Sequence, residues 1–284
     1  MDLVAILGAG ELGATLARRV AEAEMARRVV LVDADEGRAR GKALDLLQSG
    51  PVEGYDTAVE GRGALVAADA PDVVVVADPP ELLDVSAGAA RIYGGGLVPL
   101  VGKGLLIVAG GFGPTVIEAA VEKGLSRERT LGTAPLAWAG ALRRRLADEL
   151  RVRASDVSLT LLGLPPAFLV LPQGGATVGG VPVDAVSVVA RRRALESLRR
   201  RRLGPVALAS AAAQVLGALA ARSRALLPLF VRLDGEYGHR RVALATPVQL
   251  GEGRMESVVE LALDPVDRVA LDNAAQRRFE GEEA

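Results

Sequence analysis

The amino-acid sequence predicts an α/β protein. A doubly wound parallel sheet over residues 1–132 is followed by an α+β domain over residues 133–284. Two observations carry the first half: apolar runs alternate with helical patterns, and those runs are nearly unbroken Val, Ile and Leu, as strands buried on both faces require. A third separates the halves, because after about Leu131 the alternation gives way to short strands between turn residues. In order, LVAILG is a strand, Glu11 to Met25 a helix, VVLVD a strand and about Gly37 to Leu47 a helix. DTAVEG and PDVVVVA are further strands, Leu82 to Ile92 is helical, and LLIVAGG closes the set. In the second half a helix from about Pro135 to Leu150 precedes short strands at SLTLLG, AFLVLP and ATVGG, then two helical stretches between Asp184 and Arg222. ALLPLFVRLDGEYGHRRVALATPVQLG is a hairpin turning near Gly235 to Gly238. A terminal helix begins at Pro265, with Asp264 as its cap. No internal repeat or long linker interrupts the chain.

Composition narrows the chemistry. With 284 residues, half of them hydrophobic, the chain can bury a large core in one or two domains. It has no cysteine, which removes disulfides, thiolate catalysis and thiolate metal sites, and its single histidine excludes a histidine-clustered metal centre. A net charge of -1 provides no global field for nucleic acid or a membrane surface, and 3% aromatic content is poor for base stacking. No apolar run reaches spanning length, and MDLVAILGAG enters a strand without a charged leader or cleavage site, so a cytoplasmic protein is expected. Lysine occurs only at Lys42, Lys103 and Lys123 beside abundant arginine, a bias that composition alone does not explain.

Gly8, Gly10 and Gly13 stand in G-x-G-x-x-G spacing directly after a strand and open a helix; Asp33 ends the next strand. Gly8 permits the tight turn, Gly10 lets backbone approach a pyrophosphate, and Gly13 allows close packing of helix on strand. Glu11 and Leu12 supply N–H groups at the positive end of the helix. An acid at Asp33 accepts from ribose hydroxyls and repels a 2′-phosphate, which favours NAD over NADP. The combination predicts a Rossmann-type dinucleotide site formed by Gly8, Gly10, Glu11, Leu12, Gly13 and Asp33.

Beyond Asp33 the sequence resembles the lactate/malate dehydrogenase family. The similarity rests on DADEGRARGKALDLLQSGPVEGYD at 33–56, SRERTLG at 126–132, ADELRVRASDV at 147–157, GGVPV at 179–183 and LPLFVRLDGEYG at 227–238. The resemblance implies NAD as cofactor, an NAD-binding domain followed by a domain for substrate and oligomer contacts, a homo-oligomer (dimer or tetramer), and hydride transfer to a 2-oxo acid. It also says where the working residues belong. Pro165, in GLPP, stands where the family has its proton-donating His. Trp138 falls on the position of the Asp that orients that His, and Ala141 on that of the Arg that clamps the substrate carboxylate. Gly110 replaces the Asn of a T-N-P turn, with Gly111 for its Pro. The mobile loop with its arginines is shortened, leaving Arg91 as the only Arg between Ala77 and Gly110. Asp78, at the strand end ADPP, would bring negative charge toward a pyrophosphate if it points inward.

No catalytic residue is therefore assigned. The expectation is a malate dehydrogenase-like pseudoenzyme that binds NAD(H) and acts by binding or regulation. Two alternatives remain open: an NAD-dependent oxidoreductase with a rebuilt site for another carbonyl or alcohol, and a cofactor-free interaction subunit. Of the groups that could substitute, His239 falls in the outer hairpin, and Tyr93 and Tyr237 have no placement beside a nicotinamide. Arg145, one helical turn beyond Ala141, is read as part of a solvated face. RRRALESLRRRRLG at 191–204 is read as a solvent-facing basic stripe, and the alanine-rich run at 206–223 as a closely packed helix in the core or at a subunit contact.

Overall fold

The computed structural model describes residues 1–77, 87–110, 113–199 and 201–280. Five parallel strands follow in the first half, β1 (Leu3–Leu7), β2 (Arg28–Val32), β3 (Ala58–Arg62), β4 (Val73–Val76) and β5 (Leu105–Val108), and β6 (Thr130–Gly132) pairs parallel to β5. The order β3-β2-β1-β4-β5-β6 reverses direction between β1 and β4, which opens a crevice at the carboxyl ends of those strands. Both faces are covered, so the strands alternate between two cores. Val4 and Ile6 join one side with Leu16 of α1 (Glu11–Glu22) and Leu216 of α9 (Pro205–Ala220). Leu3, Ala5 and Leu7 join the other, with Ile117 of α5 (Gly113–Glu122) and Leu142 of α6 (Ala134–Leu150).

Helix α2 (Glu36–Glu53) runs past the expected end at Leu47. It starts on Asp35, whose carboxylate accepts the Arg38 N–H at 3.1 Å. Pro51 removes one helical hydrogen bond, but Tyr55 Oη (2.5 Å) and Ser49 Oγ (2.9 Å) bond the Leu46 carbonyl at that turn, and the helix ends on left-handed Gly54 at φ 85°. Of the helix expected at Leu82 to Ile92, residues 82–86 lie outside the described residues. The described part is α3 (Ala87–Gly96), with α4 (Val98–Val101) close behind.

The second half extends the same sheet. β12 (Leu226–Asp234) bridges to β6 through Phe230 and Gly132 and pairs along its length with β13 (Arg240–Gly251), which in turn holds β8 (Leu162–Leu164) and β14 (Arg254–Val258). β9 (Phe168–Val170) completes a hairpin with β8, and Pro165 sits at its tip. The run SLTLLG, expected as one strand, is two. β7 (Val157–Leu159) pairs with β10 (Ala176–Val178) in a separate three-stranded sheet that includes β11 (Val181–Pro182), while β8 belongs to the main sheet. Apolar residues suit either sheet, and the change occurs at Thr160, whose N–H donates to the Gly175 carbonyl. α7 (Val183–Val186) and α8 (Val188–Leu198) follow. α10 (Pro265–Glu280) starts where expected, with Asp264 accepting the Asp267 N–H at 2.8 Å. Among the described residues no helix is long and apolar enough to cross a membrane, and no group of three or more His, Cys, Asp or Glu is placed to hold a metal ion.

Candidate functional site

The glycine-rich turn lies at the crevice. Gly8 follows β1 with φ 104°, a conformation open to glycine, and its N–H donates to the Val32 carbonyl at 2.7 Å. A Cβ on Gly13 would lie 1.8 Å from the Gly8 carbonyl oxygen, so only glycine lets α1 approach β1 this closely. Gly10 differs from both. It is the N-cap of α1 at φ -70° and ψ -166°, it supplies no side-chain cap, and a Cβ there would meet nothing within 4 Å. The turn therefore presents an open approach to the first N–H groups of α1, the geometry an anionic pyrophosphate requires. Glu11 points to solvent, whereas the Leu12 side chain is buried in the core, so that residue offers a ligand only its backbone.

Asp33 is buried and already engaged. One carboxylate oxygen accepts the Ala9 N–H at 2.8 Å and the other the Asp35 N–H at 3.0 Å, with the Arg38 guanidinium 3.9 Å away. The acid thereby ties the glycine turn to the end of β2, and each oxygen keeps a second lone pair. Beside it opens a cavity of about 330 Å³ lined by Gly8, Asp33, Leu65, Tyr93, Leu97 and Leu100, among others. This is the low end of ligand-pocket size and has the character such pockets share, apolar walls with one polar anchor. Sequence reasoning did not identify Leu65, Leu97 or Leu100 here, and considered Tyr93 only as a proton donor. Nothing in the spacing of glycine-rich α3 or of the four-residue α4 signals that they line this cavity. The residues present fit a dinucleotide: an uncapped helix start, a glycine without steric neighbours and a carboxylate at the nucleoside side.

The positions drawn from the resemblance are only partly among the described residues. Gly110 is buried just after β5; Gly111 and Asp78 lie outside the described residues. Trp138, on the second turn of α6, is 6% exposed and belongs to the same core as Leu142, Phe230 and Ala245. Ala141 and Pro165 are half-buried. The substitute groups have other partners. Arg145 donates to Ser197 Oγ at 3.1 Å and lies 3.8 Å from both Asp148 and Glu149. His239 Nε2 is 2.8 Å from Asp272 of α10, at the hairpin turn. Tyr237 bonds the Val259 carbonyl and accepts the Leu261 N–H through its hydroxyl, and burial pushes its phenol above the usual value. Arg91 pairs with Glu122 across α3 and α5.

A Rossmann-type turn, a buried acid at the end of the second strand and a mixed sheet continuing into a second domain define a dinucleotide-binding protein of the dehydrogenase class. Residues 3–82 match the NAD-binding domain of lactate/malate dehydrogenases, which supports NAD as the cofactor. The malate dehydrogenase of Chlorobium phaeobacteroides is 30% identical over 96% of this chain and 94% of its own, and that of Salinibacter ruber is 30% identical over 96% and 93%. The solved structure of the Salinibacter ruber enzyme superposes with a TM-score of 0.89 at 29% identity, covering 99% of this chain and 96% of that one. The chain belongs to the lactate/malate dehydrogenase family.

Proposed function

We propose that this protein binds NAD(H) at the turn formed by Gly8, Gly10, Glu11, Leu12, Gly13 and Asp33 but does not interconvert malate or lactate with their 2-oxo acids, and that it acts by binding or regulation. It works in the cytoplasm as a homo-oligomer, a dimer or a tetramer, with the break between the two domains at residues 132 and 133. One observation carries the reading. At the positions where the family resemblance puts a proton donor, its orienting acid, a carboxylate clamp and an amide stand Pro165, Trp138, Ala141 and Gly110. None of these side chains exchanges a proton near neutral pH or pairs with a carboxylate. Removing members of such a unit costs several orders of magnitude in rate, and removing the clamp takes substrate affinity with it. The burial of Trp138 supports the same reading, because an indole packed in the core does not orient an imidazole. The relatives carry the name malate dehydrogenase; the proposal rests on the family pattern being replaced at these four positions of this chain.

Two measurements test the proposal. NADH titration, followed by energy transfer from Trp138, the sole tryptophan, should saturate. Oxidation of NADH with oxaloacetate, pyruvate and a panel of aldehydes and ketones should stay at the buffer rate. Turnover of oxaloacetate or pyruvate defeats the proposal, and turnover of another carbonyl replaces it with a rebuilt oxidoreductase. Absence of NADH binding leaves a cofactor-free subunit.

A further inference from the structure

The N-terminal edge of the parallel sheet, opposite the dinucleotide turn, carries a groove of about 1070 Å³ whose lining includes neither the glycine turn nor Asp33. Its cationic walls come from five separate elements. Arg27 precedes β2, Lys103 precedes β5, Arg129 precedes β6, Arg222 follows α9 and Arg254 begins β14. The groove therefore lies on the seam between the first domain and the tip of the β13–β14 hairpin.

Its charge is unbalanced. Three carboxylates, Asp2, Asp72 and Glu252, face five cations. Asp72 is committed to the backbone, accepting the N–H groups of Asp2 at 2.5 Å and Leu3 at 3.1 Å. Arg129 spends one N–H on the Lys103 carbonyl, at 2.5 Å, and keeps the rest of its fork. Among the described residues Arg27, Lys103, Arg222 and Arg254 form no ion pair within 4.0 Å. Glu128, the acid that feels the Arg254 charge, is itself bonded to Ser126 and paired with Arg127. Some exposed arginines elsewhere pair with acids, as Arg18, Arg40, Arg144 and Arg153 do, and others do not; what sets the groove apart is that its cations share one concavity. Unpaired cations converging from five elements on one concavity cost self-repulsion that an anion relieves.

We propose that this groove binds a compact polyanion carrying two or more phosphate groups. Four of the five cations are guanidiniums, whose planar forks bond phosphate oxygens in pairs, and the volume suits a small molecule rather than a polymer. A ligand held there touches both domains and resists their separation.

Calorimetric titration with inorganic tripolyphosphate at 0.15 M salt, where loose surface attraction is screened, tests this on the full chain. Saturable binding at one site per chain is expected, together with a raised melting temperature. Arg222→Ala with Arg254→Ala, both exposed and outside the dinucleotide site, should weaken binding at least tenfold while leaving NADH affinity unchanged. Arg201→Ala with Arg202→Ala, on the loop before α9, should change it less than twofold. Citrate should bind at least tenfold more weakly than tripolyphosphate. The proposal is overturned by absence of saturation, by equal weakening in both pairs of variants, or by competition with NADH, which would move the anion to the glycine turn. It is equally overturned if the groove variants change the oligomeric mass without any anion, which would make the groove a subunit contact.

Discussion

Arg278 gives the most direct test of what holds the C-terminal helix to the fold. Its guanidinium, from α10, donates to Glu118 Oε2 at 2.5 Å and to Thr115 Oγ1 at 3.0 Å, both on α5. The side chains of the pair are 8% and 3% exposed, and Glu118 also accepts the Ala243 N–H of β13 at 2.7 Å. Arg278→Met keeps the length and removes the charge, leaving a carboxylate that water cannot reach. Breaking a buried pair from one side costs about 3–5 kcal/mol. At about 2–4 °C per kcal/mol for a chain approaching this size, the melting temperature should fall by about 6–20 °C. Glu118→Gln combined with Arg278→Met removes both charges, and the amide oxygen can still accept from Ala243. The double variant should recover at least half of the loss, a coupling read directly from urea midpoints of the four proteins. A cost below about 1 kcal/mol for the single change, or a double variant as unstable as the sum of the singles, would refute the buried-pair argument.

Three further changes separate other interactions. Gly13→Ala places a methyl 1.8 Å from the Gly8 carbonyl oxygen, so α1 must shift; a loss of about 3 kcal/mol with NADH binding abolished is expected by thermal melt and titration. Asp33→Ala leaves the Ala9 and Asp35 N–H groups without their acceptor and should cost about 2 kcal/mol even without ligand, checked by urea denaturation. Burial pushes Glu236 up, but the Arg127 guanidinium and the Asp234 N–H outweigh it and hold its carboxyl down at about 2, against 4.5 for the free group. Its stabilisation is therefore complete above about pH 4.5 and lost as pH falls through 2, and Glu236→Gln should flatten the stability profile across that interval. An unchanged acid limb would show that other carboxylates dominate it.

The parallel half of the fold is legible because VVVV and LVAIL are short, rich in β-branched residues and bounded by turn residues, which separates a strand buried on both faces from a buried helical segment. The antiparallel half is less so. SLTLLG divides between two sheets at Thr160, and the bond that divides it comes from Gly175, fifteen residues away. Nor does the pattern reveal that β12 and β13 prolong the first domain's sheet, since that continuity rests on the meeting of Phe230 and Gly132, where a Cβ on the glycine would lie 2.9 Å from Phe230. At the site, the glycine spacing and the acid are visible, but the bond from Ala9 to Asp33 and the walls given by Leu97 and Leu100 are long-range facts. The side chains that resemblance identifies as replaced are readable by position alone; the burial of Trp138 is not, because α6 is apolar on much of its surface.

The glycine turn contains its own control. Gly8 needs its φ of 104°, Gly13 its missing Cβ, and Asp33 its bonds to Ala9 and Asp35, so each serves the fold whether or not a cofactor binds. Gly10 has no such duty. Its φ of -70° suits any residue, its neighbourhood is open, and as the N-cap of α1 it is inferior to serine, which would accept a helix N–H. Gly10→Ser should therefore raise the stability of the free protein by a few tenths of a kcal/mol, while its side chain occupies the path by which a pyrophosphate reaches the helix N–H groups. Two charge-assisted hydrogen bonds at risk, about 1.5–3 kcal/mol each, correspond to at least a hundredfold weaker NADH binding. A serine variant that melts higher and binds NADH as before would mean that the dinucleotide does not cross this turn. The retained motif would then be a record of packing alone.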